Sequence, residues 1–488
     1  MHDPDPTPGD GLDELEDIPD EELVIPAEGE PEPSPAITRR VDLTQGHLLR
    51  QISLLAWPIV AGSFLQWLMG VVDIKMVGTL GPAAIAAVGT SREAIFTFLT
   101  LVFAVATGAQ VMTARYMGQH DPDRAACVCR QAIILSVIFG VVIAPAGYFF
   151  AGSLLSALGA RGETLAEGTA YMQTFFLGTI PLLLGFMLTS SLQGAGDTLT
   201  PLYVLVGVVG SNILLNWMLI FGVGPFPAMG VVGAAWGTVI ARAISGLVLL
   251  WIVASGRFAL HVPLIDRWRI DLALWGKMFY IGVPSSIESF ARNMGFLALF
   301  WILNQTDAGR MAVAGYTISV QIRMFGVMFG LALMSAAMTA VSQNMGAQDV
   351  ERAERSGWTI TGISSATMTA MALGSILLAG PLIRFFTDSP DTIHWGVISL
   401  IVLSLSLPFT GLSMGCSGSL RGAGDTLSPL YATLIFTAVL GPGLAYLLTV
   451  PLNAGPLGAW IGLAVGTVLQ SLMVAWIFRR GHWKHIKL

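Results

Sequence analysis

Ionisable residues set inside long apolar runs are the part of this sequence that can do chemistry. Asp73 lies in LQWLMGVVDIKMVG, within the first such run. A carboxylate at membrane depth is costly and marks a functional position by default. Burial disfavours its charged form, so Asp73 can take up and release a proton. It can equally be one oxygen ligand of a hard cation such as Na+, or be kept in place by neighbouring donors. Gln66, seven residues earlier, shares its helical face. Asn212 and Asn216 are four apart in a later run and so share a face, able to supply oxygen ligands or to bond neighbouring helices. Thr238 adds a hydroxyl in the run that follows. Glu288 and Arg292, again four apart, can pair along a helix or face a binding cavity, and Gln321 and Arg323 can join them from the next run. Lys75, Arg92 and Glu93 sit towards the ends of their runs, where long side chains reach the interface; Arg242 lies deeper. None of the seven histidines is central in a run, which leaves intramembrane proton chemistry to the carboxylates.

The elements that position these residues are membrane helices. Twelve segments of about 20 mostly apolar residues are centred near Gln66, Val102, Phe139, Leu182, Asn212, Ala243, Phe300, Phe329, Met371, Ser406, Phe436 and Leu469. Hydrophobic residues make up 54% of the chain, charged ones 11%, and the mean hydropathy is +0.70. The net charge of −6 is misleading. Thirteen of 31 acidic residues fall in the first 36 positions, which hold eight prolines and no Lys or Arg. That acidic, Pro-rich tail reads as a disordered, solvated extension and not as a signal peptide. Three cysteines are too few for a disulfide scaffold and have no zinc-ligand spacing.

The sequence is also duplicated. SLQGAGDTLTPLY (Ser191–Tyr203) returns as SLRGAGDTLSPLY (Ser419–Tyr431), MTARYMGQHD as MTAVSQNMGAQD, and GVVGAAWG as GPLGAWIG. Six spans fall in each copy, and an even number gives both copies the same orientation, a parallel repeat. The fold class is therefore an all-α membrane protein of twelve transmembrane helices in two six-helix lobes. Residues 1–47 form the tail, 48–256 the first lobe, 257–271 a linker, 272–480 the second lobe and 481–488 a short end. The GAGDT loop lacks phosphate-cradle spacing and reads as a turn. In it, Thr200 and Ser428 cap the next helix, with Pro201 and Pro429 at its first position. With both termini inside, the inner segments carry seventeen Lys and Arg, Arg115 and Arg421 among them. The outer segments carry three: Arg161, Arg310 and Arg384. This asymmetry predicts cytoplasmic termini in a plasma-membrane protein.

Together these pieces resemble the multidrug and toxic compound extrusion (MATE) family over about Leu48 to Arg480. The resemblance is carried by VDIKMVGTLG, the two GAGDT loops, NILLNWMLIFGVGPFPAMGVVGAAWGT and MTAVSQNMGAQDVERAE. It implies two lobes with a cleft facing alternately in and out, and export of amphipathic, often cationic compounds in exchange for Na+ or H+. Asp73 matches the family's first-span acid, Pro58 the proline at which that helix bends, and Asn212 and Thr238 positions around the acid. Asn216 stands where many relatives carry a second acid, which tilts the reading towards protons.

The function expected is a cation-coupled antiporter. Asp73, Asn212, Asn216 and Thr238 are the coupling site, with Na+ at Asp73 as the alternative to a proton. Gln66, Glu288, Arg292, Gln321 and Arg323 are candidates for the substrate cavity. No cofactor, structural metal or nucleic-acid partner is expected; small molecules and lipids are the partners, and the monomer is the working unit. A flippase for lipid- or glycan-linked precursors is the rival, because such proteins have more basic cavities. A membrane-embedded enzyme would need a convergent nucleophile, acid–base pair or metal cluster, and the sequence offers none.

Overall fold

The computed structural model describes residues 41–256, 259–263, 268–306 and 309–486, and its regular elements are helices throughout. The first lobe holds α1 (Leu48–Gly78), α2 (Pro82–Gly118), α3 (Pro122–Ala157), α4 (Gly162–Leu177), α5 (Thr179–Gly194), α6 (Leu199–Phe221) and α7 (Gly230–Ala254). The second holds α8 (Leu272–Leu303), α9 (Gly309–Gly346), α10 (Val350–Leu377), the short α11 (Ala379–Arg384), α12 (Pro390–Ser404), α13 (Leu407–Ala423), α14 (Leu427–Ala432), α15 (Gly441–Thr449) and α16 (Gly455–Arg480). Two pairs are single spans bent at a break, α4–α5 by 58° and α12–α13 by 44°. The breaks have a shared cause. A proline stands in the first turn of each outgoing helix, Pro181 in α5 and Pro408 in α13, where its ring cannot continue the preceding turn. The α14–α15 span is continuous through a π-helical segment, Thr433–Leu440, followed by Pro442, which has no N–H to donate.

Twelve spans result, six per lobe. Eight cross by length and hydropathy alone and two more as the bent pairs. The remaining two are α2, which holds the uncharged apolar run 94–111, and α8, whose apolar content Lys277, Glu288 and Arg292 dilute. The same charges explain one misplacement. The seventh span, expected around Phe300, runs from Leu272 to Leu303, so Phe300 lies near its end. The outer surface of the helices is apolar where lipid must touch it: on α3, Val142 is 63% and Phe149 78% exposed.

The duplicated GAGDT loops build the same turn twice. Gly196 and Gly424 take positive φ, 86° and 100°. Asp197, rather than the expected Thr200, caps α6: its carboxylate accepts from the Thr200 N–H at 3.0 Å and hydroxyl at 2.6 Å. Asp425 does the same for Ser428, at 3.0 and 2.7 Å. A carboxylate is the stronger acceptor and suits the positive end of the helix.

The described residues begin at Val41 and end at Ile486 on one face, the terminal face, and the lobes are bonded to each other there. Gln110 of α2 donates to the Ser335 hydroxyl (2.8 Å) and the Thr339 hydroxyl (3.0 Å) of α9. Ser342 donates to the Val111 carbonyl at 2.7 Å, and Gln343 to the Gly194 carbonyl at 3.0 Å. Arg115 donates to the Ala423 carbonyl at 3.4 Å. Glycine permits the close crossing: a Cβ on Gly118 would overlap the Gln343 carbonyl, and one on Gly346 the Arg115 carbonyl. Nearer the middle of the spans, the Trp67 and Phe325 rings meet edge-on at 5.5 Å.

Of the expected tail 1–47, residues 1–40 lie outside the described residues. Val41–His47 rest on the protein, with Leu43 fully buried. The expected linker 257–271 and end 481–488 are described only in part. Gln131 of α3 holds the linker, donating to the Arg269 carbonyl at 2.7 Å and accepting from Trp275 at 2.8 Å.

Candidate functional site

Asp73 sits near the far end of α1, and α6 and α7 bring three polar side chains to it. Asn216 donates to Asp73 Oδ1 at 2.7 Å. The same amide lies 3.4 Å from Asn212 Oδ1, and Asn212 in turn donates to the Thr238 hydroxyl at 3.3 Å. The spacing of four between the two asparagines thus puts both amides in one chain of hydrogen bonds ending on the carboxylate. Asn212 and Asn216 are fully buried. The Asn216 Oδ1 has no partner and packs against Gly237, where a Cβ would collide with it. Two cations act on Asp73 electrostatically, Arg92 and Arg242. Arg92 reaches α1 one turn before the acid, within 3.4 Å of where a Gly70 Cβ would stand. The network offers a proton or a Na+ ion one carboxylate and neutral oxygens beside two positive charges.

Pro58 is buried in α1, which stays helical through it. Without an N–H, Pro58 leaves the Leu54 carbonyl without its helical donor, a built-in weak point about four turns from Asp73. A cavity of about 110 Å³ opens beside it, lined by Pro58, Gly62, Ser63 and Gln66 of α1, Thr189 and Gln193 of α5, and Arg242 and Ser245 of α7, among others. Arg242 is the one charged lining residue, its guanidinium 5.7 Å from the centre of the Phe186 ring. It therefore touches the cavity on one side and feels Asp73 on the other.

The second lobe uses the equivalent positions differently. Counted from Pro58 and Pro284, Glu288 corresponds to Gly62 and Arg292 to Gln66; in the GAGDT copies Arg421 corresponds to Gln193. Where the first lobe has a cavity, the second has an ion triad. Glu288, 1% exposed, accepts from Arg292 at 2.9 Å and from Arg421 at 2.7 Å. Both carboxylate oxygens are taken, so Glu288 offers no free charge to a cationic substrate. The Glu288–Arg292 pair is legible from its spacing; Arg421, by sequence one of the inner-segment bases, is buried at the end of α13. The signal was its replacement of Gln193 in an otherwise matching motif. Arg323 does not join the triad: its hydrogen bond goes to the Ser406 hydroxyl, at 3.5 Å, at the α12–α13 break. Gln321 is exposed. Among the described residues no three His, Cys, Asp or Glu gather as metal ligands.

A family model described as MatE matches the chain twice, over residues 58–218 and 284–447, once in each lobe. The chain belongs to the MATE family. Its relatives in the MATE family include a protein of Thermotoga maritima named probable multidrug resistance protein NorM, 26% identical and aligned over 89% of this chain and 93% of that one. Another is the Burkholderia vietnamiensis multidrug resistance protein NorM, 26% identical over 87% and 92%. Among solved structures, a MOP superfamily transporter from Pyrococcus furiosus, described by a binding pocket of reverse polarity, superposes with a TM-score of 0.85 at 25% identity, covering 91% of this chain and 98% of that one. A MATE transporter in an outward-facing conformation superposes with a TM-score of 0.84, also at 25% identity and the same coverage. The protein is thus a multi-pass membrane transporter of the MATE multidrug efflux family.

Proposed function

We propose that the chain is a cation-coupled antiporter that exports amphipathic organic compounds across the plasma membrane by alternating access, with Asp73 carrying the coupling ion. The observation that carries this reading is the Thr238–Asn212–Asn216–Asp73 chain of hydrogen bonds, ending on a carboxylate within the first span. Asn216 in place of a second acid favours a proton over Na+, because a metal cation needs several oxygen ligands around it while a proton needs the carboxylate alone. The excess of Lys and Arg towards the terminal face supports cytoplasmic termini. Lobe-to-lobe bonds gathered at that face support an outward-open state.

Protonation of Asp73 removes the charge that Asn216 and Arg242 face. The network then repacks α1 around its weak point at Pro58, and the cavity beside it loses substrate to the outside. The lobes rock, the proton leaves to the cytoplasm, and the cavity reloads. In this cycle Gln66, Arg242 and the cavity wall contact substrate, while Glu288 holds the second lobe together. The test is efflux of a fluorescent dye from proteoliposomes under an imposed proton or Na+ gradient, with Asp73→Asn alongside. Efflux driven by one gradient and abolished in the variant is expected. Undiminished coupled efflux by Asp73→Asn at full expression refutes the proposal.

A second reading rests on a specific observation. Arg242, Arg292, Arg323 and Arg421, none of them exposed, outnumber Asp73 and Glu288 within the spans, a balance that suits an anionic cargo such as a lipid-linked precursor. Translocation of such a lipid, without dye efflux under either gradient, would decide for a flippase.

A further inference from the structure

The terminal-face gate has partners outside the twelve spans. The segment Val41–Gly46, the end of the tail, leads into the first lobe and is bonded to it, the Val41 N–H donating to the Gly196 carbonyl at 3.1 Å. Gln51 of α1 also donates to the Gln45 carbonyl, and further bonds cross to the second lobe. Arg352 of α10 donates from Nε to the Leu43 carbonyl at 2.8 Å. Its Nη2 donates to the carbonyls of Gln45 and Gly46, both at 2.9 Å, and to Gln51 Oε1 of α1 at 2.8 Å. The Leu43 N–H donates to Gln343 Oε1 at 3.4 Å, and its side chain lies in the same buried cluster as Ala336 and Ala340 of α9. One guanidinium on the second lobe therefore grips the strand of chain that leads into the first.

The other end mirrors this. The turn His482–His485 is pinned to the second lobe by Trp483, fully buried, stacked on Phe478 at 5.0 Å and donating to its carbonyl at 2.8 Å. Lys484 pairs with Glu354 at 2.6 Å. Across the seam, Arg115 of the first lobe donates to the Ile486 carbonyl at 3.3 Å. Arg115 and Gln343 occupy the same place in the two repeats, three residues before Gly118 and Gly346. Each described end is thus bonded both to the lobe it adjoins and to the other lobe.

We propose that the segments Val41–Gly46 and His482–Ile486 are latches of the terminal-face gate, gripped by Arg352 and Arg115, and that these grips set how strongly the protein favours its outward-open state. The latches must release for the lobes to separate on that face, so each grip stabilises the closed gate and not the opposite state. This inference rests on the alternating-access reading above. Losing the charge-assisted bonds of either arginine is expected to raise the ratio of inward-open to outward-open protein by about tenfold or more.

The test uses the full chain with its native cysteines replaced by alanine and spin labels at Leu158 and Phe386. These are exposed loop positions on the outer side of the first and second lobes. Pulsed electron–electron distance distributions are recorded in lipid at two pH values and with and without Na+. Arg352→Gln and Arg115→Gln should move the population towards shorter outer distances. Arg352→Lys, which keeps the charge and loses the fork, should fall between. Arg124→Gln, a surface position bonded to its own neighbour Asp121, should match the parent. Unchanged distributions in both arginine variants, in a protein whose parent responds to ions or pH, overturn the latches and leave alternating access intact. A parent with one fixed distance under every condition overturns the alternating-access reading itself, and the latches with it. Should Arg115→Gln fail to fold, Arg352→Gln and Arg352→Lys decide.

Discussion

The ion triad of the second lobe makes a quantitative demand. Replacing Glu288 by Gln keeps the shape and removes the charge, leaving Arg421, 5% exposed, as an uncompensated buried cation beside Arg292. With charge centres about 4 Å apart and an effective dielectric near 20, each ion pair is worth about 4 kcal/mol before desolvation. Breaking a buried pair by removing one partner costs about 3–5 kcal/mol, because the remaining charge stays buried. An unfolding entropy of about 2.1 cal/mol/K per residue, over roughly 450 folded residues, converts 4 kcal/mol into a fall of roughly 4 °C in melting temperature. Arg421→Gln should cost less, since Glu288 retains Arg292. The double variant should be more stable than the sum of the two predicts, with a coupling of about 2–3 kcal/mol. The assay is thermal unfolding in detergent or nanodiscs for all four proteins, paired with dye efflux. An unchanged melting temperature in Glu288→Gln together with lost transport of a cationic dye would refute the argument. It would mean that the carboxylate serves substrate and that the triad does not hold the lobe.

Two further outcomes follow from the geometry. Gly237→Ala places a methyl against Asn216 Oδ1; overpacking of this kind costs about 1–3 kcal/mol, and displacement of the amide from Asp73 should lower gradient-driven efflux on the order of tenfold while gel filtration stays normal. Retained coupling would show that Asn216 does not act on the acid. Trp483→Ala removes a fully buried ring and should cost about 3–5 kcal/mol, read as a lowered melting temperature; a neutral result would mean that the final turn is not packed in solution.

Much of the site could be read before any coordinates. Asn212 and Asn216 shared a face by spacing alone, and Asp73 stood out because lipid leaves few reasons for a carboxylate. Helix periodicity and the cost of burying charge act locally, so a sequence displays them. The pairing of Glu288 with Arg292 was visible for the same reason. Arg421 was not, because its partner is 133 positions away and its motif looked like a solvated loop. Span positions were legible wherever the run was uniformly apolar, and slipped in α8 where Glu288 and Arg292 split it. The caps of α6 and α14 lie three residues before the expected Thr200 and Ser428, at Asp197 and Asp425, since Asp, Ser and Thr can all cap and only the backbone geometry chooses. Val41–His47 looked like the last of a solvated tail. Its burial depends on α9 and α10, some 300 residues away.

The crossing of α2 and α9 is reciprocal: Gly118 meets the Gln343 carbonyl and Gly346 meets the Arg115 carbonyl. A contact in which each side offers the same patch is the signature of a two-fold homodimer, here folded into one chain. Such a surface accepts a copy of itself as readily as its proper mate. The covalent tether through the linker removes that choice by holding the mate at an effective concentration on the order of millimolar. Once pairing no longer depended on both halves matching, the halves were free to diverge. One keeps an open cavity and the other fills the same positions with an ion triad, a division of labour that untethered identical subunits could not have maintained.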